Sequence, residues 1–362
     1  MKSLPTVLHF RGTVLPEGTV RDVFVVDGRI TFTEPSDAVT VADGGYLTPG
    51  LVDAHAHLSL HSPAGDDAEP ALRVRASARA QLAAGVLAIR EPGSPDDESQ
   101  RIGPGEGLPR TVTAGRLLAR TGRYFPGLGR ELEPQQLPEA AEEEARSGRA
   151  WVKVIADFVA PGGAITAAFP AEVLAETARR VHAVGAKIAA HAGDPDVISA
   201  CIEAGFDSIE HATGMRADQI DAALAAGTAI VPTLIIRDGV LGAVRGFGGD
   251  DATVQAMAAV LDGQGAVVRE AAERGVTVLA GTDAGMVPHG LVATEIGLLL
   301  SAGLTPEQAL GAGSWLARAY LGLPGISEGA PADLVVFPDD PREDVDALRH
   351  PSVILLDGVR RR

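Results

Sequence analysis

Two histidines spaced two residues apart mark the first place in the sequence where metal chemistry could occur. His55 and His57 end a short apolar run that begins at Gly50. Alternate residues of a β-strand point to the same face of a sheet, so both imidazoles would point in one direction and could chelate one ion. Because a His-x-His pair also arises by chance on surface strands, this interpretation depends on further candidate ligands elsewhere in the chain.

Four other candidate ligands accompany apolar runs later in the chain. They are Lys153, His191, His211 and Asp283. Two of them have an ordinary structural alternative: a lysine at a barrel rim can extend its amine to solvent, and Asp283 would also suit a helix N-cap. Imidazole and carboxylate ligands suit Zn²⁺, and also Mn²⁺, Co²⁺ or Ni²⁺. Six such residues, all within or directly after apolar runs, predict a metal site.

The elements that must position these residues are indicated by apolar runs that alternate with Ala-rich helical patterns. The apolar runs occupy residues 50–56, 85–89, 110–114, 151–155, 187–190, 208–210, 229–232 and 277–280. Helical patterns occupy residues 71–84, 138–147, 171–184, 195–204, 217–226, 252–274 and 306–321. Eight βαβ-type units in roughly 270 residues match the size of a TIM barrel. We therefore predict an α/β fold, a (β/α)₈ TIM barrel with the site at the C-terminal ends of its strands.

A doubly wound open sheet is the alternative fold for this alternation. Such a sheet would carry a glycine-rich phosphate-binding turn after its first strand, whereas here the first run ends in two histidines. Glycines that end helical patterns just before the next run predict left-handed C-caps. They are Gly85, Gly185, Gly205, Gly227 and Gly275.

Both ends of the chain favour short strands instead of strand–helix units. Asp27-Gly28 near the N-terminus and Asp357-Gly358 near the C-terminus are hairpin turn signals between apolar runs. We therefore predict a small β-sandwich domain formed by both termini, residues 1–50 plus 323–362. The metal-binding TIM-barrel catalytic domain would occupy residues 51–322.

Composition limits the classes of partner. The 362 residues carry a formal net charge of −17, and the basic residues cluster only at Arg360–Arg362, which argues against a nucleic-acid partner. The single Cys201 permits no intramolecular disulfide. The N-terminus lacks the apolar region of a secretory signal, and no apolar run approaches the ~18 residues of a membrane span. We expect a soluble cytoplasmic protein with no membrane partner.

These motifs together resemble the amidohydrolase superfamily of metal-dependent hydrolases. The matching pieces are residues 49–57 (PGLVDAHAH), Lys153, His191, His211, residues 281–285 (GTDAG) and residues 329–336 (GAPADLVV). The chain is most similar to the branch that contains imidazolonepropionase-like enzymes and the Xaa-Pro and Xaa-Arg/Lys dipeptidases. The resemblance spans nearly the whole chain.

The resemblance implies a binuclear centre with two divalent metal ions, for which Zn²⁺ is the expected metal. His55, His57 and Asp283 would hold the more buried ion, and His191 and His211 the second. A carbamylated Lys153 and a hydroxide would bridge them. Asp283 would shuttle the proton from the hydroxide to the leaving nitrogen, and His211 is the second candidate catalytic residue. The implied activity is cleavage of an amide C–N bond in a small-molecule substrate, such as a dipeptide or N-acyl amino acid.

Several alternatives remain open. Imidazolonepropionase is described as using one metal and lacking the lysine of the fourth strand, so a mononuclear cyclic-amide hydrolase or deaminase is one alternative. A lactone or ester hydrolase on the same site, and an inactive scaffold, are others. A homo-oligomer is common among such barrels, but no residue pattern fixes the number of copies.

Two loops depart from the pattern of this branch and leave dipeptide specificity open. Where the branch often has Thr-Gly-Gly-His after the third strand, this chain has Thr121-Gly122-Arg123-Tyr124. After the lysine, residues 156–161 precede the Gly-Gly pair that the branch has sooner. Arginine suits a substrate carboxylate, and loop side chains at the barrel mouth can reach a substrate. The candidate substrate-binding residues are Tyr124, Arg123, His289 and Arg237.

Overall fold

The computed structural model of the protein describes residues 7–362. The N-terminal segment forms β1 (Leu8–Val14), β2 (Thr19–Val26), β3 (Arg29–Thr31) and β4 (Val39–Pro49). The next part forms β5 (Leu51–Asp53), α1 (Pro70–Ala83), β6 (Val86–Glu91), β7 (Arg110–Thr113), β8 (Leu117–Arg120), β9 (Gly129–Leu132), α2 (Leu137–Arg146), β10 (Trp151–Ile155), β11 (Asp157–Val159), β12 (Ile165–Ala167) and α3 (Ala171–Ala183).

The remaining elements follow in the second half of the chain. They are β13 (Lys187–Ala192), α4 (Pro195–Glu203), β14 (Ser208–His211), α5 (Ile220–Ala226), β15 (Ala229–Val231), α6 (Arg237–Gly246), α7 (Asp251–Glu273), α8 (Val292–Ser301), α9 (Pro306–Ala312) and α10 (Trp315–Tyr320). The C-terminal segment forms β16 (Leu334–Phe337), β17 (Val353–Leu356) and β18 (Val359–Arg360).

Both ends of the chain pair in one seven-stranded sheet, in the order β18-β17-β16-β4-β1-β2-β3. The two predicted hairpin turns are confirmed, because Asp27 (φ 50°) and Asp357 (φ 53°) are each followed by a glycine with positive φ, as tight hairpins require. A separate apolar cluster that includes Phe10, Leu47 and Leu355 covers this sheet. The two termini therefore form one unit, while its description as a sandwich and the domain boundaries stay predictions.

Parallel strands make up the middle of the chain, as predicted. One sheet has the order β5-β6-β7, and a second has the order β15-β14-β13-β10-β8-β9. The strands β6 and β10 are buried along their whole length, which explains why they are continuous apolar runs instead of alternating patterns. The chain thus has an α/β fold with parallel strands of the TIM-barrel type.

The structure differs from the predicted strands at two places. The third run forms β7, which pairs with β6, but a further strand that the sequence did not indicate, β8, follows it and pairs with β10. The eighth run, residues 277–280, forms a single bridge from Val278 to Ile230 instead of a ladder. Its backbone is used by other partners, since Ala280 donates its N–H to Ala312 O and accepts from Ala54 N. The closed eight-stranded barrel stays a prediction.

The predicted helices are present, but one of them is divided into two helices and two further helices occur. Residues 306–321 form α9 and α10, which the non-helical Ser314 separates, and α6 and α8 were not indicated by the sequence. The five glycines expected as C-caps all have φ between 71° and 93°. Cys201 is fully buried in α4, as its apolar neighbours suggest. Within residues 7–362, no helix has the length and apolarity that crossing a membrane requires.

Candidate metal centre

Three predicted ligands converge at one end of β5. The Oδ1 atom of Asp283 lies 3.3 Å from Nε2 of His55 and 3.4 Å from Nε2 of His57. The three ligand atoms all lie within 4.8 Å of one another, and all three side chains are buried. Two imidazole nitrogens and one carboxylate oxygen that face a common point fit a divalent metal such as Zn²⁺.

A buried carboxylate joins the two segments that carry these ligands. Asp53, the last residue of β5, accepts from the backbone N–H of His55 (3.2 Å) and of Thr282 (3.0 Å) and from Thr282 Oγ1 (2.6 Å). The N–H of Asp283 in turn donates to His55 O at 2.7 Å. Gly281 allows this close approach, because a Cβ there would lie 2.6 Å from Cβ of His55.

The hydrogen bonds of the histidines determine which nitrogen faces the site. Nδ1 of His55 lies 2.6 Å from Oε2 of Glu210, and Nδ1 of His57 lies 2.7 Å from Gly93 O. A carboxylate and a carbonyl can only accept, so both Nδ1 atoms carry the proton and both Nε2 atoms are free to act as ligands. Such outer hydrogen bonds are the usual way in which metal-binding histidines are oriented.

The other three predicted ligands line the same cavity but form a looser group. The ring centroids of His191 and His211 are 4.5 Å apart, and those of His55 and His211 are 5.0 Å apart. Lys153 lies on β10, whose last residue pairs with His191 on β13. His211 ends β14 with φ 69°, and its Nδ1 lies 2.8 Å from Thr233 Oγ1. Parallel pairing of neighbouring strands thus brings all six predicted residues to one place.

The six predicted ligands form what we call the floor of the cavity, and burial shifts the pKa of three of them toward the neutral form. Burial lowers the pKa of Lys153 to about 8, although the carboxylate of Glu210 opposes this shift. Burial, together with Lys153, lowers the pKa of His191 to about 3. Burial and the neighbouring His191 likewise hold the pKa of His211 well below its usual value. Neutral imidazoles are the form that binds metals, and a neutral amine is the form that reacts with CO₂.

The opposite side of the floor stabilises positive charge. Burial by itself lowers the pKa of His57, yet the carboxylates of Asp283 and Glu91 outweigh it and raise that pKa to about 10. Burial raises the pKa of Asp283, but His55 and His57 outweigh burial and hold it well below its usual range. The carboxylates around His57 thus stabilise a cation at this position, whether a proton or a metal ion.

Glu210 is a functional residue that the sequence pattern did not indicate. It is completely buried, and it accepts from Arg90 Nη2 at 2.5 Å and from Ser208 Oγ at 2.6 Å, in addition to His55. Arg90 also donates to Ala54 O at 2.7 Å. The available signal was a glutamate within an apolar strand, directly before His211. Its partner Arg90, however, is 120 residues away along the chain.

Above the floor, a cavity of about 330 Å³ opens between two apolar walls. One wall is aromatic and comes from the segment after β8 and from β11; the other is aliphatic and comes from residues 235–236 and from α6. The aromatic wall consists of Tyr124, Phe125 and Phe158. The aliphatic wall consists of Ile235, Ile236, Val240 and Ala243.

The candidate substrate contacts are distributed unevenly around this cavity. Tyr124 lines it, with its ring centroid 6.3 Å from that of His191. Arg123 donates to Thr166 Oγ1 at 2.7 Å, and Arg237 donates to Asp262 at 2.7 Å. His289 lies 3.2 Å from Leu60 O. These last three predicted residues do not line the cavity, since each side chain is engaged by acceptors elsewhere in the fold.

Comparisons with known proteins match the chain to a protein family and to curated relatives. The model of the amidohydrolase family matches residues 46–358. Uncharacterized proteins of Mycobacterium tuberculosis and Mycobacterium bovis are each 40% identical to the chain over 357 residues, covering 97% of this chain and 95% of the relative.

Two solved structures share the fold over almost their whole length. A Xaa-Pro dipeptidase with bound methionine has a TM-score of 0.82 at 22% identity, covering 98% of this chain and 99% of that chain. The A. niger ochratoxinase has a TM-score of 0.80 at 20% identity, covering 99% and 96%. The family match confirms the predicted assignment to hydrolases that act on carbon–nitrogen bonds. Since that match extends over most of the sequence, the chain belongs to the amidohydrolase family.

Proposed function

We propose that this protein is a metal-dependent hydrolase that cleaves the amide bond of a small molecule such as a dipeptide or N-acyl amino acid. The observation that carries the proposal is the convergence of Nε2 of His55 and His57 with Oδ1 of Asp283, at 3.3 and 3.4 Å. Divalent metals supply a nucleophile near neutral pH and polarise a carbonyl when they are bound. His55, His57 and Asp283 would hold one ion, and His191 and His211 the other.

The residues of the chain carry the remaining steps. Asp283 takes a proton from the attacking water and delivers it to the leaving nitrogen, because its ionised carboxylate lies beside the ligand nitrogens and faces the cavity. Tyr124, whose pKa is raised by burial and by the charge of Asp283, stays protonated and can donate to the substrate carbonyl. Thr233 holds the ring of His211 toward the same space.

Lys153 is the residue on which a two-metal centre depends. Its neutral Nζ attacks the carbon of CO₂ and loses one proton to solvent, which gives a carbamate whose single negative charge is shared by two oxygens. The lowered pKa of about 8 makes the neutral amine available near neutral pH. A carbamate between the ligands on β13 and β14 and those after β5 would bridge the two groups of the floor.

The test combines metal analysis, intact mass and a substrate screen. Protein loaded with Zn²⁺ in bicarbonate buffer is expected to contain two metals per chain and to gain the mass of one CO₂. Lys153→Met should lose the added mass and one metal, whereas Lys187→Met on the neighbouring strand β13 should keep both. The screen covers N-acyl amino acids, Xaa-Pro dipeptides, cyclic amides and lactones. Failure to hydrolyse any amide with fully loaded protein would overturn the proposal.

A single-metal hydrolase of cyclic amides, or a deaminase, is the second candidate. The observation in its favour is that the tight spacing of ligand atoms within 4.8 Å is limited to His55, His57 and Asp283 among the described residues. One metal per chain and an unmodified Lys153 in the experiment above would select this candidate. Turnover of lactones alone would instead select an ester hydrolase on the same site.

A further inference from the structure

The side chains above the floor carry almost no charge. Within the described chain, the residues that line the cavity outside the six predicted ligands include one ionisable acid, Asp238, and no arginine or lysine. Asp238 is exposed at the outer end of the cavity, 3.5 Å from Arg237. The inner part is formed by the aromatic and aliphatic walls, with the hydroxyl groups of Tyr124 and Thr213 as polar side-chain groups.

The cations nearest to the cavity are committed to other partners. Arg123 donates to Phe158 O, Thr166 O and Thr166 Oγ1, which fastens the β11–β12 hairpin behind the aromatic wall. Arg237 points to Asp262 on α7 and is partly exposed. Neither guanidinium can contact a substrate carboxylate without giving up these contacts, so the walls provide no partner for an anion.

An ionised group between such walls is strongly disfavoured. A carboxylate loses its hydration on entering an apolar space, and the loss is compensated only by a cation or several hydrogen-bond donors. In the proposed function the scissile carbonyl occupies the position beside the floor, so the free carboxylate of a dipeptide or N-acyl amino acid would lie between the apolar walls. The net charge of −17 adds long-range repulsion of anions.

We propose that the cavity selects neutral amides whose substituents are apolar, such as N-alkyl amides and anilides, over amides that carry a free carboxylate. This inference rests on the proposed amide hydrolysis, and it replaces the dipeptide and N-acyl amino acid examples given there with a neutral substrate class. The aromatic wall offers edge-to-face contacts, since the rings of Phe125 and Phe158 already pack at 5.2 Å in this way. A cavity of about 330 Å³ lies at the lower end of small-molecule sites.

The first test uses two substrates with the same scissile bond. N-butanoylphenethylamine and N-butanoyl-phenylalanine differ only in the carboxylate of the second compound. The neutral amide is expected to have a kcat/KM about tenfold higher or more, because an unpaired buried charge outweighs one power of ten in affinity. An equal or higher kcat/KM for the acid would overturn the inference while leaving amide hydrolysis intact.

A binding measurement separates this inference from the proposed activity. The sulfonamide analogues of the same two compounds resist hydrolysis and can be titrated calorimetrically against the metal-loaded protein. The neutral sulfonamide should bind about tenfold more tightly or better, by the same argument. Equal affinities, tighter binding of the acid, or binding of neither would overturn the inference, even if no amide proved to be a substrate.

A positive charge placed in the aliphatic wall should weaken the preference for the neutral amide. Val240→Arg puts a guanidinium on α6, at a half-buried position that lines the cavity. The acid should gain about tenfold in kcat/KM, and the acid sulfonamide about tenfold in affinity, relative to Val240→Gln, the uncharged control of similar length. No difference between the two variants in either measurement would contradict selection by the charge of the walls.

Discussion

The floor and the walls of the cavity are built in opposite ways. On the floor, the orienting polar groups are buried and paired: Glu210 alone accepts from Arg90, His55 and Ser208. The walls are apolar, and they come from a hairpin, an irregular turn and the single helix α6. The paired groups of the floor therefore hold the ligands for one chemistry. Substitutions in the walls, by contrast, can change which substrate binds without disturbing the ligands. Variants of the two regions should differ in which property they lose.

The largest effect is expected on the floor, from Asp283→Asn. The amide cannot accept the proton of the attacking water, so kcat should fall by about 10²- to 10⁴-fold, the range of a lost general base. Circular dichroism should show a retained fold. Asp238→Asn at the outer end of the cavity is the matched control and should stay within a fewfold of wild type. An active Asp283→Asn variant would contradict the role of Asp283.

The second largest effect is expected from Glu210→Gln, which changes none of the six predicted metal ligands. Arg90 would lose its carboxylate partner while still buried, at a cost of about 3–5 kcal/mol in the free energy of unfolding. His55 would lose its orienting acceptor, so metal affinity should drop about 10- to 100-fold. Urea denaturation and a chelator competition measure the two effects. Glu139→Gln on the exposed face of α2 should change neither, and unchanged values for Glu210→Gln would show that the floor tolerates an unpaired Arg90.

The walls should respond differently, as Phe125→Ala can show. The truncated side chain lines the cavity, so kcat/KM for a neutral apolar amide should drop about tenfold through lost aromatic contact. Metal content should not change. Phe247→Ala is the control, because Phe247 packs against Phe158 at 5.5 Å but does not line the cavity. Loss of metal in Phe125→Ala would contradict the separation of walls from floor.

The last effect is on stability alone and concerns the turn that carries the aliphatic wall. Glu295 accepts from the N–H groups of Leu234 and Ile235, and burial raises its pKa from 4.5 to about 8. Between these pH values the folded protein keeps a proton that the unfolded chain releases. The free energy of unfolding should therefore fall as pH rises from 4.5 to about 8, and then level off. Glu295→Gln should lack this component in urea denaturation at several pH values; identical pH profiles would contradict it.

The same division separates what the sequence predicted from what it did not. His55, His57 and Asp283 follow apolar runs, and the C-terminal ends of parallel strands meet at one edge. The proximity of these three residues could therefore be inferred from the sequence pattern alone. The pairing of Arg90 with Glu210 could not, because two residues far apart in the chain choose each other through three-dimensional packing. Arg123 and Arg237 were candidates for substrate contact by residue type, but nearby acceptors determined the direction of these long side chains.

The difference between floor and walls also explains the errors in the secondary structure that was predicted from the sequence. α6 was not indicated because its glycines and exposed positions weaken the helical pattern, although this helix supplies much of the aliphatic wall. The strand β8 is only four residues long and follows Gly115 (φ 72°), beyond the end of the predicted run at residues 110–114. Local patterns indicate burial in regular elements, and part of the aromatic wall, Tyr124 and Phe125, lies outside such elements.

The sheet formed by both ends of the chain has a consequence for how the enzyme matures. Only Gly50 separates β4 from β5, and its N–H donates to Asp333 O, while Pro49 pairs with Leu334 on β16. The strand that precedes His55 and His57 is thus anchored by residues synthesised almost three hundred positions later. Contacts of such long range form slowly. During translation, the nascent chain should be unable to capture metal with full affinity until its final strands have left the ribosome.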